Sequence, residues 1–175
     1  PPRSTLFPYT TLFRSKEMGY TEPDPRDDLS GMDVGRKTVI LAREMGYEVE
    51  VEDIPIQSLV PEGMASLSIE EFMQNLEELD VHIEQAYHDA CEKGEKLRYV
   101  GIVDEKGACS ASLASFNGDH PFSQTSGTDN VICFTTDRYL SQPLVIKGPG
   151  AGREVTAGGV FSDMLRLAAY LGARI

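Results

Sequence analysis

Hydrophobic residues recur at helical spacing near the start of the chain. Residues 33–45 place one set of side chains on a single helical face, and Gly46 follows where helix C-termini favour glycine. That set is Val34, Thr38, Leu41, Ala42 and Met45. The pattern predicts a helix over 33–45. The preceding TEPDPRDDLSG is rich in Pro and Asp, so we expect it to form an ordered turn or loop.

A second, longer helix is predicted after Ser68. Ser68 and Glu71 have the spacing of a capping box, and Gly94 can end the helix. Between them one apolar set recurs at helical spacing: Ile69, Phe72, Met73, Leu76, Leu79, Ile83, Ala86, Tyr87 and Ala90. We interpret this stretch as one amphipathic helix that packs on the core.

The third predicted helix ends the chain, in REVTAGGVFSDMLRLAAYLG. Its apolar face is formed by Val160, Met164, Leu167, Ala168 and Leu171. Three small residues in a row, 157–159, would allow a neighbouring element to pack closely against it.

Alternating or continuous apolar runs predict strands elsewhere. Val49, Val51, Ile54 and Ile56 alternate as in a half-buried strand with a break. KLRYVGIVD and ACSASLASF flank EKG, a hairpin-like connection, and NVICFTTD and QPLVIKG add two strands. The expected fold is one mixed α/β (α+β) domain, in which helices cover a largely antiparallel sheet.

Composition narrows the class of protein. The chain has 175 residues, a net charge of -12 and 41% hydrophobic residues, which suits a folded globular domain. Its acidity argues against a nucleic-acid partner. No apolar run approaches the about 20 residues that span a bilayer, so no membrane partner is expected.

The cysteines and histidines lack the spacing of a zinc site, so no metal site is expected. They are scattered singly along the chain: Cys91, Cys109, Cys133, His82, His88 and His120. Reduced cysteines in a cytoplasmic protein are the simplest interpretation.

The opening segment, residues 1–15, differs from the rest. PPRSTLFPYTTLFRS has no acidic residue, and Pro8 to Thr11 interrupt the apolar run that a secretory signal would need. One back-translation of these fifteen residues reproduces a common short-read sequencing adapter. We therefore expect 1–15 to be translated adapter and 16–175 to be the native domain; independent reads of the native gene test this.

The richest polar cluster is GYTEPDPRDDLSGMDVGRK, residues 19–37. Asp33 and Lys37 are four residues apart at a helix start, so they share one face; from spacing alone, a surface ion pair is the ordinary explanation. Four carboxylates precede them on a proline-stiffened loop: Glu22, Asp24, Asp27 and Asp28. If these crowd around Lys37, they could bind an amino group and keep the lysine protonated. Such a lysine can give its proton to an alkoxide that develops from a carbonyl.

A glycine cluster, GPGAG at 148–152, lies between an apolar strand and a helix. It fails the dinucleotide fingerprint G-x-G-x-x-G, because Arg153 occupies the position of the third glycine. A plain tight turn is favoured, although glycines there would also allow a ligand to approach the backbone closely.

The acidic cluster closely resembles the signature of homoserine dehydrogenase, an oxidoreductase of the aspartate pathway. The positions that satisfy the signature are Gly19, Tyr20, Asp24, Pro25, Asp28, Leu29, Gly31, Asp33 and Lys37. It also asks for alanine where Ser15 stands, at the expected junction. The resemblance continues to Ile175, especially to the form fused behind an aspartate kinase. It covers only the carboxyl-terminal part of that enzyme, without its Rossmann domain, its monovalent-cation ligands or any kinase domain.

The resemblance implies NADPH-dependent, reversible reduction of L-aspartate 4-semialdehyde to L-homoserine. Lys37 matches the lysine that gives a proton to the aldehyde oxygen. Asp33 and Glu22 match the carboxylates that hold the substrate's amino and hydroxyl groups, and Asp28 matches a supporting acidic position. Gly19, Glu22 and Gly152 match positions at the cofactor.

The resemblance also implies a homodimer or a higher homo-oligomer, because this region carries the family's dimer interface. The domain that would hold most of the NADP is not part of this region, so the chain alone is expected to have negligible activity. That domain also sets the preference for NADP or NAD. The alternative is a non-catalytic module, of the same α/β type, for small-molecule binding or dimerisation.

Overall fold

The computed structural model describes residues 23–126, 129–150 and 152–173. The chain divides into two compact units, with the boundary between Gly118 and Asp119. The first contains four helices and a hairpin among its described residues, and the second contains a hairpin and one long helix.

The first unit begins with a short helix, α1, at Pro25–Leu29. The prediction of a turn or loop is therefore wrong for these residues. The Asp24 side chain caps the helix by accepting a hydrogen bond from the Arg26 amide, and Pro25 occupies the first helical position. Aspartate before proline is a favourable helix start, because the capped amide is satisfied and the φ angle of proline already suits a helix.

Helix α2, at Met32–Glu44, confirms the first predicted helix. Its buried residues are Gly35, Thr38, Val39 and Ala42. The buried face differs from the predicted one, since Val39 is buried whereas Met45 is 52% exposed. The observed spacing of i, i+3, i+4 and i+7 is that of a helix lying on a core. Gly46 follows the helix with a φ of 92°, as expected for a helix C-terminus.

The predicted strand at residues 49–56 is wrong over most of its length. Val51–Asp53 form a 3-10 turn instead, stabilised by reciprocal side-chain bonds between Glu50 and Asp53. One of these joins the Glu50 amide to Asp53 Oδ2 at 3.0 Å. Only Ile56 pairs with a strand, through an isolated parallel bridge to Ala111. Acidic side chains that bond the local backbone compete with strand pairing here.

The long predicted helix is two helices, α3 at Ile69–Gln74 and α4 at Glu77–Glu92. The capping box is confirmed, since Ser68 and Glu71 each bond the other's backbone amide. The helix is interrupted at Asn75, whose side-chain amide donates to the Glu71 carbonyl at 2.8 Å. Both helices still share one core, because Phe72, Leu76 and Leu79 cluster with Met64.

The predicted hairpin is confirmed as β1, Lys96–Val103, paired antiparallel with β2, Cys109–Phe116. Its register runs from Lys96 opposite Phe116 to Val103 opposite Cys109. A second core cluster joins helix α2 to this hairpin: Val39, Ala42, Ile54 and Cys109. Helix α2 therefore lies on the first sheet, with its opposite side in solvent.

In the second unit, β3 at Asp129–Phe134 pairs antiparallel with β4 at Leu144–Pro149. Both predicted strands are confirmed, and with them the α/β class. Among the described residues the four strands form two separate two-stranded sheets rather than one.

Helix α5, Arg153–Tyr170, confirms the last predicted helix. Its predicted apolar face is nevertheless open to solvent: Met164 is 62% exposed and Leu167 is 59% exposed. Apart from the backbone of α5 itself, no described residue lies within 4 Å of where side chains at Gly158 and Gly159 would begin, so the predicted close packing is not made among these residues. Across the described residues, no helix has both the length and the apolarity needed to cross a bilayer.

Candidate functional site

The structure brings together the two residues at the centre of the acidic cluster. Lys37 Nζ lies 2.8 Å from Asp33 Oδ2, on the first two turns of α2. Their side chains are 54% and 70% exposed. Because α2 buries its other side against the first sheet, the ammonium and the carboxylate face solvent. An exposed pair of this kind adds little stability, and both groups are accessible to a small molecule.

Asp24 does not join this pair. Its carboxylate is bound by the Arg26 guanidinium, with Nη2 at 2.6 Å from Oδ2 and Nε at 3.0 Å from Oδ1. The Arg26 hydrogen bonds lower the pKa of Asp24 below its usual value. The expectation that this carboxylate crowds around Lys37 is therefore wrong, because a closer cation occupies it.

Arg26 also fixes helix α1 to a distant part of the chain. Its Nη1 donates to the carbonyls of Ala65 at 3.0 Å and Leu67 at 2.6 Å. The guanidinium carbon lies 5.7 Å from the centre of the Phe72 ring, within the range of a cation–π contact. Helix α1 is thus anchored to Phe72 of α3 and to the segment that precedes α3, and no short-range sequence pattern indicates this.

The other sequence-predicted residues are distributed as follows. Asp28 is exposed in the first turn of α1, directly before α2. Gly19 and Glu22 lie outside the described residues. Gly152 lies in the second unit, at the N-terminus of α5.

A close contact holds the start of α2 in place. Gly31 precedes the helix with a φ of 76°, in the left-handed region that favours glycine. A side chain there would overlap the Tyr99 hydroxyl and come within 2.7 Å of its Cζ. Tyr99 was not singled out from the sequence; the glycine of the signature is the only hint that something packs against this turn.

The Tyr99 hydroxyl is itself fixed. It donates to the Gln57 carbonyl at 2.7 Å and lies 3.2 Å from the Ala111 carbonyl. Burial raises the pKa of Tyr99, so the hydroxyl keeps its proton and remains a donor. The turn at Gly31 therefore rests on a group whose position is set by two other segments.

Gly148 and Pro149 end β4, and Gly150 and Gly152 lie between this strand and α5. The turn interpretation stays a prediction, because Ala151 lies outside the described residues. Gly152 has a φ of 130°, and no described side chain caps the helix behind it. Among the described residues, a side chain at this position would meet only Val155, at 3.9 Å. An open backbone at a helix N-terminus can accept close approach by an anionic group, so Gly152 fits the cofactor contact that the resemblance implies.

The cysteines show no sign of nucleophilic chemistry. All three are free: Cys91 is exposed, Cys109 is buried and Cys133 is half-buried. Burial raises the pKa of both Cys109 and Cys133, which disfavours a reactive thiolate.

Comparison with known proteins supports the resemblance. The sequence profile of homoserine dehydrogenase matches residues 9–165. The chain is 58% identical, over 161 residues and 91% of its length, to a chloroplastic bifunctional aspartokinase/homoserine dehydrogenase from Zea mays. It is 46% identical to a homoserine dehydrogenase from Paracoccidioides brasiliensis, over 88% of its length.

A solved structure agrees with the sequence comparisons. A Candida auris protein of unknown function superposes with a TM-score of 0.86 at 43% identity, over 96% of this chain and 48% of its own. The chain spans only 18% of the maize protein and 42% of the Paracoccidioides protein. The profile match begins at residue 9 and so includes part of the opening segment, whose origin stays a prediction.

Proposed function

The chain belongs to the homoserine dehydrogenase family, and from that premise we propose that it forms the substrate-binding and dimerisation part of an NAD(P)-dependent homoserine dehydrogenase. The proposed reaction is the reversible reduction of L-aspartate 4-semialdehyde to L-homoserine, in threonine and methionine biosynthesis. One observation carries the proposal. The signature stretch that names the family places Lys37 and Asp33 side by side on the solvent face of α2.

Lys37 is the proposed proton donor. When bound, the nicotinamide cofactor supplies the hydride that reduces the aldehyde carbon. The Lys37 ammonium then gives a proton to the aldehyde oxygen, so that the product carries a hydroxyl group rather than an alkoxide. The neighbouring Asp33 carboxylate lies 2.8 Å from the Lys37 ammonium and holds it in position on the same face of the helix.

Three carboxylates from residues 19–37 are the proposed substrate ligands. Asp33 and Glu22 would hold the amino and hydroxyl groups of homoserine, and Asp28 would support them from α1. Asp28 and Asp33 both lie at exposed positions, on α1 and α2, and carboxylates are suitable ligands for an ammonium group. Asp24 is excluded from this role by Arg26.

The proposed cofactor contacts of this chain are few. Gly19, Glu22 and Gly152 would approach the NADP or NAD, and Gly152 has the open backbone that this requires. No G-x-G-x-x-G fingerprint occurs in the 175 residues. The family's monovalent-cation ligands, as the resemblance implies, belong to a segment upstream of this region.

The test uses a chimera in which residues 16–175 replace the aligned segment of the maize relative. We expect the chimera to oxidise NADPH in the presence of the semialdehyde, whereas the isolated chain shows negligible activity. Lys37→Ala should lower kcat by at least about 100-fold, because the proton is needed in the transition state.

Arg36→Ala is the matched control, since Arg36 is an exposed cation of the same helix. It should leave kcat within about twofold of the parent chimera. A Lys37→Ala chimera with unchanged kcat and only a raised KM would contradict the proton-donor role.

The second candidate function is a non-catalytic association module, and the exposed apolar face of α5 favours it. The two functions are compatible, because a homodimer is also the proposed state of the enzyme. The Lys37→Ala variant distinguishes the two functions, because an association module has no activity that depends on this lysine.

We propose the cytoplasm as the compartment, because none of the described cysteines is paired. The maize relative, in contrast, is named as a chloroplastic protein. Imaging the tagged full-length protein in its source cells distinguishes the two locations.

A further inference from the structure

We propose that Tyr99 is a positioning residue for the Asp33–Lys37 pair. Its hydroxyl would set the place at which α2 begins, and thereby the place of both charged side chains. The consequence for catalysis rests on the proposed function of Lys37, whereas the contacts themselves do not.

The Tyr99 hydroxyl has a fixed position. It donates to the Gln57 carbonyl at 2.7 Å. Gln57 is held in turn by β2, because its amide donates to the Ala111 carbonyl at 2.8 Å and its Oε1 accepts from the Leu113 amide at 2.9 Å. Tyr99 itself belongs to β1. The hydroxyl is therefore fixed by both strands and by the segment that pairs with β2.

The start of α2 packs against this hydroxyl. Gly31 is buried, and its backbone occupies the space directly above the phenol oxygen, so that even a methyl group would overlap it. The Gly31 carbonyl accepts from the Gly35 amide at 2.9 Å, which makes it the first acceptor of α2. Asp33 lies in the turn that this bond closes. A displacement of Gly31 would consequently move the carboxylate that pairs with Lys37.

The rest of α2 has a support of its own. Gly101 of β1 lies against Thr38, which is further along the helix than Gly31. Ile56 lies against both Gly31 and Gly35, so it supports the first turn together with Tyr99. Loss of the Tyr99 hydroxyl should therefore loosen the first turn without detaching the helix, which separates a positioning role from a purely structural one.

The chain offers a matched control at the other end of α2. The Tyr47 hydroxyl donates to the Glu105 carbonyl at 2.9 Å. Its ring lies against Gly107, another glycine with positive φ, at 83°. Tyr47→Phe thus also removes a hydroxyl that donates to a backbone carbonyl, from a ring that lies against a glycine with positive φ. Tyr47 lies beyond the C-terminal end of α2, away from the first turn.

The experiment compares Tyr99→Phe with Tyr47→Phe in the chimera that carries residues 16–175. Amide hydrogen exchange, resolved to single residues, reports on the first turn of α2 and requires no activity. Steady-state kinetics with saturating NADPH gives kcat and KM for the semialdehyde, at a temperature well below both melting temperatures. Lys37→Ala is measured in parallel.

We expect Tyr99→Phe to accelerate exchange at Gly35 to Lys37 and to lower kcat about tenfold. Tyr47→Phe should shift the melting temperature comparably and leave both readouts unchanged. Unchanged exchange at these amides in Tyr99→Phe, or equal changes in both variants, would overturn the positioning role. Faster exchange together with a Lys37→Ala variant of undiminished kcat would instead refute the proposed function and leave the geometry standing.

Discussion

At the scale of single residues, one ion pair decides which carboxylates remain available to a ligand. Arg26 binds Asp24 through two nitrogens and reaches the carbonyls of Ala65 and Leu67 with a third. Asp24 therefore caps and anchors α1, whereas Asp33 stays beside Lys37. The two carboxylates thus differ in their cation, which is Arg26 for Asp24 and Lys37 for Asp33.

Asp24→Asn should destabilise the protein in a pH-dependent way. Asparagine keeps the helix cap and loses the charge, so we expect a loss of about 0.5–1 kcal/mol at neutral pH. Because the Arg26 bonds lower the pKa of Asp24, the stabilisation is fully present above the unfolded value of about 3.9. It disappears as the pH falls through the lower folded pKa.

Urea unfolding of the 175-residue chain at several pH values measures this difference. The wild-type and Asp24→Asn midpoints should differ at pH 7 and converge in strong acid. Asp27→Asn, at an exposed position of the same short helix, serves as the control. A difference that stays constant down to strong acid would show that the Asp24 charge is not responsible.

Sequence reasoning at this scale succeeds where the partners are close along the chain. The Asp33–Lys37 pair follows from a spacing of four in a helix, which needs no tertiary information. Arg26 and Tyr99 could not be assigned in the same way. Arg26 meets carbonyls about 40 residues away, and Tyr99 supports a glycine far earlier in the sequence. Those partners are specified only by the packed fold.

At the scale of elements, the correct predictions rest on local rules and the errors mark competition between such rules. Alternating valines indicate a strand at 49–56, yet acidic side chains bonded to the local backbone produce a 3-10 turn at Val51–Asp53. Helical spacing runs through Asn75, yet its side chain bonds the Glu71 carbonyl and the helix is interrupted. In both cases a polar side chain bonds the backbone locally, which hydrophobic periodicity does not register.

The capping box of α3 gives a prediction for one element. Ser68→Ala removes the hydroxyl that accepts from the Glu71 amide at 3.2 Å, so we expect a loss of about 1 kcal/mol in the free energy of unfolding. Ser66→Ala, at an exposed serine two residues earlier, should change it by less than about 0.5 kcal/mol.

The same box predicts a pH dependence. Hydrogen bonds from Ser68 to the Glu71 carboxylate lower the pKa of Glu71. Its contribution is therefore present above the unfolded value of about 4.3 and is lost as the pH falls through the lower folded pKa. Urea unfolding at pH 7 and in acid should show that the cost of Ser68→Ala shrinks as Glu71 is protonated. Equal costs at both pH values would refute a role for the carboxylate.

At the scale of the whole molecule, the last helix was predicted correctly as an element and incorrectly in its surroundings. The structure leaves α5 exposed on every side, including the face that the sequence assigns to packing. Periodicity identifies which side chains favour burial, and it carries no information about what covers them. The chain spans 18% of the maize relative, so much of what surrounds this region in that protein is not in this chain.

The exposed stripe of α5 predicts self-association of the isolated chain. Val160, Met164, Leu167 and Leu171 are 57%, 62%, 59% and 74% exposed, at a spacing that aligns them along one side of the helix. Burying such a stripe against a second copy removes apolar surface from water on both partners, which favours the proposed homodimer. We expect light scattering with size-exclusion chromatography to give a dimer.

Glutamates at two positions of the stripe, Met164→Glu with Leu167→Glu, should shift the dimer to a monomer, because charged side chains oppose burial in an apolar contact. Arg166→Glu is the control: it changes the net charge by the same amount, at a side chain that is 84% exposed and pairs with Asp163 on the same helix. The control should remain dimeric. A monomeric parent chain would exclude the dimer, and equal dissociation of both variants would show that the stripe is not the specific dimer contact. Neither result bears on the proposed chemistry of Lys37.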